Sequence, residues 1–146
     1  MPANERTATG TWRGDLRSGN GTIDATSGVL RSVPYTYATR FEQAPGTNPE
    51  ELIAAAQAAC YSMAFANYLS QQGHVPEEIE TRATVTLQFG GDQPTKIAKV
   101  HLATTGRVPG VDDATFKRLA QEAEQRCPVA NLLRPGTELT LEAALR

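Results

Sequence analysis

The chain contains two cysteines, Cys60 and Cys127, and these are its best candidates for covalent chemistry. Cys60 lies within the stretch 52–69, which contains no charged residue, and Cys127 directly precedes Pro128. Where thiols are kept reduced, a pair of cysteines is more often redox-active or metal-binding than a structural disulfide. The pair therefore indicates redox or metal chemistry.

The local surroundings of the two thiols differ. Apolar surroundings disfavour a thiolate, so a reactive Cys60 would need a cation beside it. Cys127 stands near the N-cap of a predicted helix that opens with Pro128, and the helix dipole favours a thiolate there. Local physics thus predicts that Cys127 ionises more easily. The alternative, that Cys60 is a small core residue and Cys127 a cap, stays open on these residues alone.

Other site chemistries have little support in the sequence. The cysteines form no C-x-x-C motif, and the two histidines, His74 and His101, fall in a predicted loop and a predicted strand. This spacing does not predict a zinc site, and both histidines are expected to be structural or exposed. No glycine-rich phosphate loop and no Ser-His-Asp spacing is present.

Length and charge set outer limits on the function. A chain of 146 residues favours one domain, here residues 1–146, and a net charge of -2 does not indicate a nucleic-acid partner. No apolar run approaches the roughly 20 residues that span a bilayer, and the first ten residues have no apolar signal-peptide core. We expect a cytoplasmic protein with no membrane partner.

The segment that contains Cys60 is predicted to be a long helix. Asn48 can cap it, Pro49 suits its first position, and Glu51 is placed as in a capping box. Gly73 is expected to end it, and Pro76 prevents its continuation. About 24 residues lie between these signals.

The remaining elements predict an α+β domain. Alternation and turn signals predict N-terminal strands in "RTATGTWRG", "SGNGTIDATSG" and "PYTYATRFE", and an antiparallel hairpin from "ETRATVTLQF" and "TKIAKVHLATTG". A second helix begins at Asp112 or Asp113, with Phe116, Leu119, Ala120 and Ala123 at helical spacing. A short helix, "PVANLL", and a strand, "TELTLEAAL", complete the chain.

The long helix is apolar on nearly all sides, so most of its circumference must be covered. One modest sheet covers one side. The second helix is one candidate for the other side. We favour a second copy of the chain, because an isologous dimer is the commonest way to bury such a surface.

The segments "GTNPEELIAAAQAACYSMA" and "CPV" resemble the OsmC/Ohr family of thiol peroxidases, which includes osmotically inducible protein C and the organic hydroperoxide resistance proteins. Three earlier segments, "WRGD", "SGVL" and "TRFE", also occur in the order and spacing of the OsmC branch. The resemblance therefore covers essentially the whole chain. It implies an OsmC-like fold, with antiparallel sheets packed on a long buried central helix, in an intertwined homodimer.

The resemblance also implies a reaction in oxidative or osmotic stress defence. Cys60 would be the peroxidatic cysteine, which reduces an organic hydroperoxide or hydrogen peroxide and becomes a sulfenic acid. Cys127 would be the resolving cysteine, which forms a disulfide with Cys60. A dithiol, in this family a lipoylated protein, would reduce that disulfide. No cofactor, metal or flavin is implied.

Two further residues match the family's site, Arg40 in "TRFE" and Glu50 in "NPE". Arg40 would supply the cation that Cys60 lacks, and Glu50 would orient it. Arg17 is a second candidate for the cation, and Glu51 is a second candidate for the carboxylate. The plainer alternatives are an exposed strand position for Arg40 and a favourable first-turn charge for Glu50.

The separation of Glu50 and Cys60 constrains this site. Ten positions along one helix correspond to about 15 Å, too far for direct contact. If both residues serve one site, Glu50 comes from the partner chain, and dimerisation belongs to the mechanism. An alternative function from another class is a non-enzymatic, stress-associated dimer that binds an apolar ligand. A redox sensor would share the peroxidase chemistry and differ only in its partners.

Overall fold

The structure is a computed structural model that describes residues 1–146. Its chain divides into two compact units, Met1–Leu52 and Ile53–Arg146. It contains two three-stranded sheets and four α-helices, which confirms the predicted α+β class. None of the helices has the length and apolar character needed to cross a membrane.

The first unit is built on an antiparallel sheet with the order β1-β2-β3. Its strands are β1 (Ala8–Arg13), β2 (Asn20–Ala25) and β3 (Val33–Tyr35), and the short helix α1 (Tyr37–Phe41) follows. Gly21 lets Tyr35 lie across the sheet, because a Cβ there would fall 2.5 Å from the Tyr35 ring. The Tyr35 ring in turn packs against Trp12, with ring centroids 5.3 Å apart.

The segment "PYTYATRFE" is a strand only as far as Tyr35, so the prediction of a longer strand is wrong. Thr36 caps α1 by accepting a hydrogen bond from the N–H of Thr39, and the Thr39 hydroxyl receives the N–H of Thr36 in return. This reciprocal capping box outweighs the alternating pattern. As a result, Arg40 lies on a short helix and not on a strand.

The predicted long helix is α2 (Pro49–Gln71), and its ends agree with the sequence signals. The Asn48 side chain accepts from the N–H of Glu51 at 2.9 Å, but the Glu51 carboxylate accepts from the Thr47 hydroxyl, so the return half of the capping box is absent. At the other end Gly73 has φ 87°, and the next N–H, of His74, donates to Leu69 at 2.9 Å. This is the geometry of a glycine-terminated helix.

The second unit contains a sheet with the order β4-β5-β6. Strands β4 (Glu78–Gln88) and β5 (Lys96–Arg107) form the predicted antiparallel hairpin. Strand β6 (Glu138–Leu145) pairs with β5 in parallel, so the expectation of purely antiparallel sheets is wrong for this pair. Between the two strands lie α3 (Asp113–Glu124), α4 (Pro128–Leu133) and a 3-10 turn, which form the long crossover that a parallel pair requires.

The core of the second unit joins α2 to α3. Phe65 of α2 and Phe116 of α3 are fully buried with ring centroids 5.0 Å apart, and Tyr61 donates to the backbone oxygen of Ala120 at 2.9 Å. Helix α3 therefore covers one side of α2, as the plainer alternative expected. Another stripe of α2 remains exposed in the single chain: Ala55, Ala56, Ala59, Met63 and Asn67. Met63 is 74% exposed, so this stripe is an apolar surface without cover within the chain.

Candidate active site

The two cysteines lie side by side in the second unit. The Cys127 thiol donates to the Cys60 sulfur across 3.4 Å, and both are free thiols. Cys60 is partly exposed in the middle of α2, whereas Cys127 is fully buried. A disulfide requires about 2.05 Å between the sulfurs, so a small approach of the two side chains would close the bond.

Backbone contacts fix the position of Cys127. Its N–H donates to the backbone oxygen of Glu124 at 3.2 Å, and its own oxygen accepts from the N–H of Asn131 at 3.0 Å. It is the N-cap of α4, with Pro128 at the first helical position, as predicted. Cys127 thus lies at the junction of the two helices, because α3 ends at Glu124 and α4 begins at Pro128.

Burial decides the ionisation of Cys127. It raises the pKa of the Cys127 thiol to about 11, and the contact with Cys60 acts in the same direction. The N–H groups of Ala130 and Val129 at the start of α4 lower the pKa, but they do not balance the loss of water. Burial therefore outweighs the helix dipole on which the prediction that Cys127 is the easier thiol to ionise is based. A protonated Cys127 can instead donate to a thiolate or sulfenate on Cys60.

Gln57 is a neighbour of the thiol pair that sequence reasoning missed. It is fully buried on α2, three positions before Cys60, and its Oε1 lies 3.9 Å from the Cys127 sulfur. Residues at this spacing are neighbours on one helical face. The available signal was an uncharged polar residue with apolar neighbours on both sides, one turn before a cysteine.

Arg40 and Glu50 form the second pair of predicted site residues, in the first unit. The Arg40 Nη2 lies 2.8 Å from Glu50 Oε1, and Arg40 Nε lies 3.3 Å from each carboxylate oxygen. Glu50 is buried with 7% exposure, whereas Arg40 keeps 35% of its side chain exposed. Glu51, the other candidate carboxylate, is exposed and accepts from the Thr47 hydroxyl. Arg40 and Glu50 are therefore a matched ion pair with one accessible cationic face.

An aromatic groove of about 400 Å³ adjoins Arg40 in the same unit. Trp12, Tyr35, Tyr37 and Phe41 are among its lining residues. The guanidinium of Arg17, the alternative cation, lies 4.9 Å from the centroid of the Tyr37 ring and makes a cation–π contact with it. The groove combines an apolar wall with one guanidinium, a combination that suits an apolar molecule with a polar end.

Comparison with protein families places these residues in a known context. The model of the OsmC family, described as OsmC-like protein, matches residues 42–142. That range includes Glu50, Cys60 and Cys127, and Arg40 lies two residues before it. The chain belongs to the OsmC family. The predicted family is thus confirmed.

Relatives of this OsmC family member are named either peroxiredoxin OsmC or organic hydroperoxide resistance protein. The chain is 44% identical to peroxiredoxin OsmC of Escherichia coli (strain K12) over 135 residues, which cover 92% of each chain. It is 34% identical to an organic hydroperoxide resistance protein of Xanthomonas axonopodis pv. citri (strain 306) over 101 residues, 68% of each chain.

Solved structures agree on the OsmC fold. The organic hydroperoxide resistance protein OhrB of Bacillus subtilis superposes with a TM-score of 0.72 at 28% identity, covering 94% of this chain and 97% of that one. An organic hydroperoxide resistance protein of Elizabethkingia anophelis gives a TM-score of 0.78 at 24% identity over the whole of both chains, which shows the shared fold.

Proposed function

We propose that this protein is a cysteine-based peroxidase that reduces organic hydroperoxides, and also hydrogen peroxide, in the cytoplasm. The observation that carries the proposal is the pair of sulfurs 3.4 Å apart, one partly exposed and one fully buried. An exposed thiol can meet a peroxide, and an adjacent buried thiol can then capture the oxidised sulfur. The names of the relatives, peroxiredoxin and organic hydroperoxide resistance protein, support the same reaction.

The catalytic cycle uses the cysteines in sequence. The Cys60 thiolate attacks the terminal peroxide oxygen and the O–O bond breaks. The other oxygen leaves as an alkoxide, or as hydroxide from hydrogen peroxide, and takes up the proton that the Cys60 thiol lost, which gives an alcohol or water. Cys60 is then a sulfenic acid. The Cys127 sulfur attacks the Cys60 sulfur, an S–S bond forms and the hydroxyl leaves as water. An external dithiol, for which we propose a lipoylated protein, exchanges with the disulfide and restores both thiols.

We propose that the active form is a homodimer in which Arg40 and Glu50 of one chain serve Cys60 of the other. Glu50 and Cys60 are ten positions apart on one continuous helix, and the stripe through Ala59 and Met63 lacks cover in a single chain. A partner helix that crossed this stripe antiparallel would bring its first turn towards Cys60. Arg40 would then stabilise the thiolate and the departing alkoxide, and buried Glu50 would hold the guanidinium in place.

The aromatic groove beside Arg40 would hold the organic part of the substrate in such a dimer. Its lining favours an alkyl or aryl group, and the exposed face of the guanidinium favours the peroxide oxygens. This arrangement predicts that organic hydroperoxides react with higher kcat/KM than hydrogen peroxide. The difference would come from burial of the organic group.

Thiol titration tests the function directly. One equivalent of cumene hydroperoxide should consume two thiols per chain and give an intramolecular disulfide, detectable by mass spectrometry of the unreduced protein. A non-enzymatic, ligand-binding dimer would keep both thiols. Persistence of both thiols under these conditions would falsify the peroxidase.

The cysteine variants divide the cycle into its steps. Cys60→Ser should abolish turnover, because the remaining thiol, Cys127, is fully buried and a peroxide cannot reach it. Cys127→Ser should undergo one oxidation per chain and then overoxidation of Cys60 to the sulfinic acid, because the sulfenic acid has no resolving partner. Peroxide consumption and intact mass measure both outcomes. Sustained turnover by Cys60→Ser would rule the mechanism out.

A further inference from the structure

The Gln57 side chain is buried beside the thiol pair with its hydrogen bonds only half satisfied. Its Oε1 lies 3.9 Å from the Cys127 sulfur and is an alternative acceptor to Cys60 for the single thiol proton of Cys127. Its Nε2 is buried and has no hydrogen-bond partner, unlike the other buried side-chain nitrogen and oxygen atoms. Most buried polar atoms in proteins are paired, because an unpaired one loses its bonds to water without replacement. The chain therefore retains a polar group at a place where an apolar one would be more stable.

The amide of Gln57 can present either of its ends to Cys127. The terminal torsion of a glutamine is broad and roughly two-fold, so a half-turn exchanges Oε1 and Nε2 with little change in shape. In the present orientation, the oxygen faces Cys127 and can accept its thiol proton when that proton is not donated to Cys60. After a half-turn, the nitrogen would place an N–H donor near the same sulfur. A thiol needs an acceptor and a thiolate needs a donor, so one side chain suits both forms.

We propose that Gln57 is a positioning residue for the resolving step, accepting from the Cys127 thiol and then donating to the Cys127 thiolate as it attacks the oxidised Cys60. This inference rests on the peroxidase function proposed above. The attacking species in thiol exchange is the thiolate, and Cys127 is fully buried, so it has no water to stabilise its charge. The N–H groups of Ala130 and Val129 already favour a charge on Cys127, and the unpaired amide N–H₂ of Gln57 would add a side-chain donor to them.

The resolving step balances without a further reactant. Cys127 loses its proton and its sulfur forms a bond to the Cys60 sulfur. The S–O bond of the Cys60 sulfenic acid breaks, and the leaving hydroxide takes up the proton as water. The Cys60 sulfur is reduced from the sulfenic to the disulfide level while Cys127 is oxidised to the same level. Gln57 only changes its hydrogen bonds.

Gln57→Met tests this role because it keeps the volume and removes both polar ends. Reduced protein is mixed with one equivalent of cumene hydroperoxide. Sulfenic acid is followed by dimedone capture, and disulfide by intact mass. We expect sulfenic acid to form at the wild-type rate and the disulfide to form roughly 10- to 100-fold more slowly, as expected for loss of a hydrogen bond to a charged group. Excess peroxide should overoxidise more of the variant.

Thermal unfolding of the reduced protein supplies a second readout that separates this role from a structural one. Removing an unpaired buried amide should leave the midpoint of unfolding unchanged or higher. A purely structural Gln57 would instead give a lower midpoint and slow both chemical steps together. Gln71→Met makes the same substitution at the exposed end of α2 and should alter neither step nor midpoint.

The outcomes distinguish this inference from the function on which it rests. Disulfide formation at the wild-type rate in Gln57→Met overturns the role of Gln57 and leaves the peroxidase intact. Failure of the wild-type protein to form either sulfenic acid or disulfide overturns the peroxidase itself. Should Gln57→Met fail to fold, Gln57→Leu is measured in the same way, and the same two rates decide.

Discussion

Glu50 and Glu51 are adjacent in sequence and differ completely in environment. Glu50 is buried and paired with Arg40, whereas Glu51 is exposed and its carboxylate accepts from the Thr47 hydroxyl. Sequence reasoning left both open as the site carboxylate, because either could serve the helix start. The ion pair favours Glu50, since only its carboxylate holds the guanidinium.

Glu50→Gln is expected to lower kcat/KM for organic hydroperoxides by about tenfold or more, because a neutral amide cannot fix the guanidinium as a carboxylate does. Glu51→Gln is the matched control and should retain most activity. Steady-state kinetics with saturating reductant measure both variants. A larger loss in Glu51→Gln than in Glu50→Gln would transfer the site role to Glu51.

The raised pKa of Cys127 predicts a loss of stability in alkali. The thiol titrates near its ordinary value of 9.0 when unfolded and at about 11 when folded. Between these values the unfolded chain has lost a proton that the folded chain retains, so stability falls as pH rises, by about 1.4 kcal/mol per pH unit. Below pH 9.0 this contribution is fully present.

Urea denaturation of the reduced protein from pH 8 to pH 11 measures this slope. Cys127→Ala provides the reference, since it retains every other titrating group. The wild-type protein should lose more stability than the variant across this range. Parallel curves for the two proteins would contradict the assignment of the raised pKa to Cys127.

The ionisation of Cys127 also shows where sequence reasoning fails at the scale of a residue. Pro128 correctly predicts a helix start, and the helix amides do lower the pKa. The larger effect comes from burial, which depends on side chains distant in sequence such as Gln57 and Cys60. The local sequence therefore predicts the effect of the helix dipole on the Cys127 pKa, but it does not predict the effect of burial.

Helix α3 packs so closely on the sheet that strand β5 needs a glycine. A Cβ on Gly106 would lie 2.8 Å from the ring of Phe116, which is fully buried and cannot move aside easily. Gly106→Ala should therefore reduce the free energy of unfolding by about 1–3 kcal/mol.

Urea denaturation measures this effect, and Gly136→Ala is the control, because a Cβ there meets no atom within 4 Å. The control should unfold like the wild-type protein. Equal stability of Gly106→Ala and Gly136→Ala would show that α3 is not held against β5 as described.

At the scale of elements, long periodic segments were predictable and short ones were not. Helices α2 and α3 begin at Pro49 and Asp113, where their capping signals place them. The five-residue helix α1 was missed, because the Thr36–Thr39 capping contacts compete with an alternating pattern that is equally short. The parallel direction of β6 depends on the path of the chain through α3 and α4, which strand periodicity does not report.

The proposed sharing of active sites between two chains can be tested by mixing inactive chains. Cys60→Ser and Glu50→Ala homodimers should each be inactive or nearly so. A heterodimer of the two should recover one intact site, because one chain supplies the thiols and the other supplies Arg40 with Glu50. Peroxidase activity of heterodimers isolated with two affinity tags measures this recovery.

A heterodimer of Cys60→Ser with Cys127→Ser is the matched control. The two sulfurs meet within one chain, so this combination leaves no chain with both thiols and should stay inactive. Verified heterodimers of the first kind that show no activity would exclude the shared site.

The unequal exposure of the two sulfurs also determines which sulfur of the proposed disulfide a reductant can attack. Cys127 is fully buried, whereas Cys60 is partly exposed, so a reducing dithiol can reach only the Cys60 side. The mixed disulfide would then form on Cys60, with Cys127 as the leaving thiolate. A leaving thiol with a raised pKa departs slowly. The protein would therefore resist small monothiols and favour a reductant whose second thiol closes the exchange.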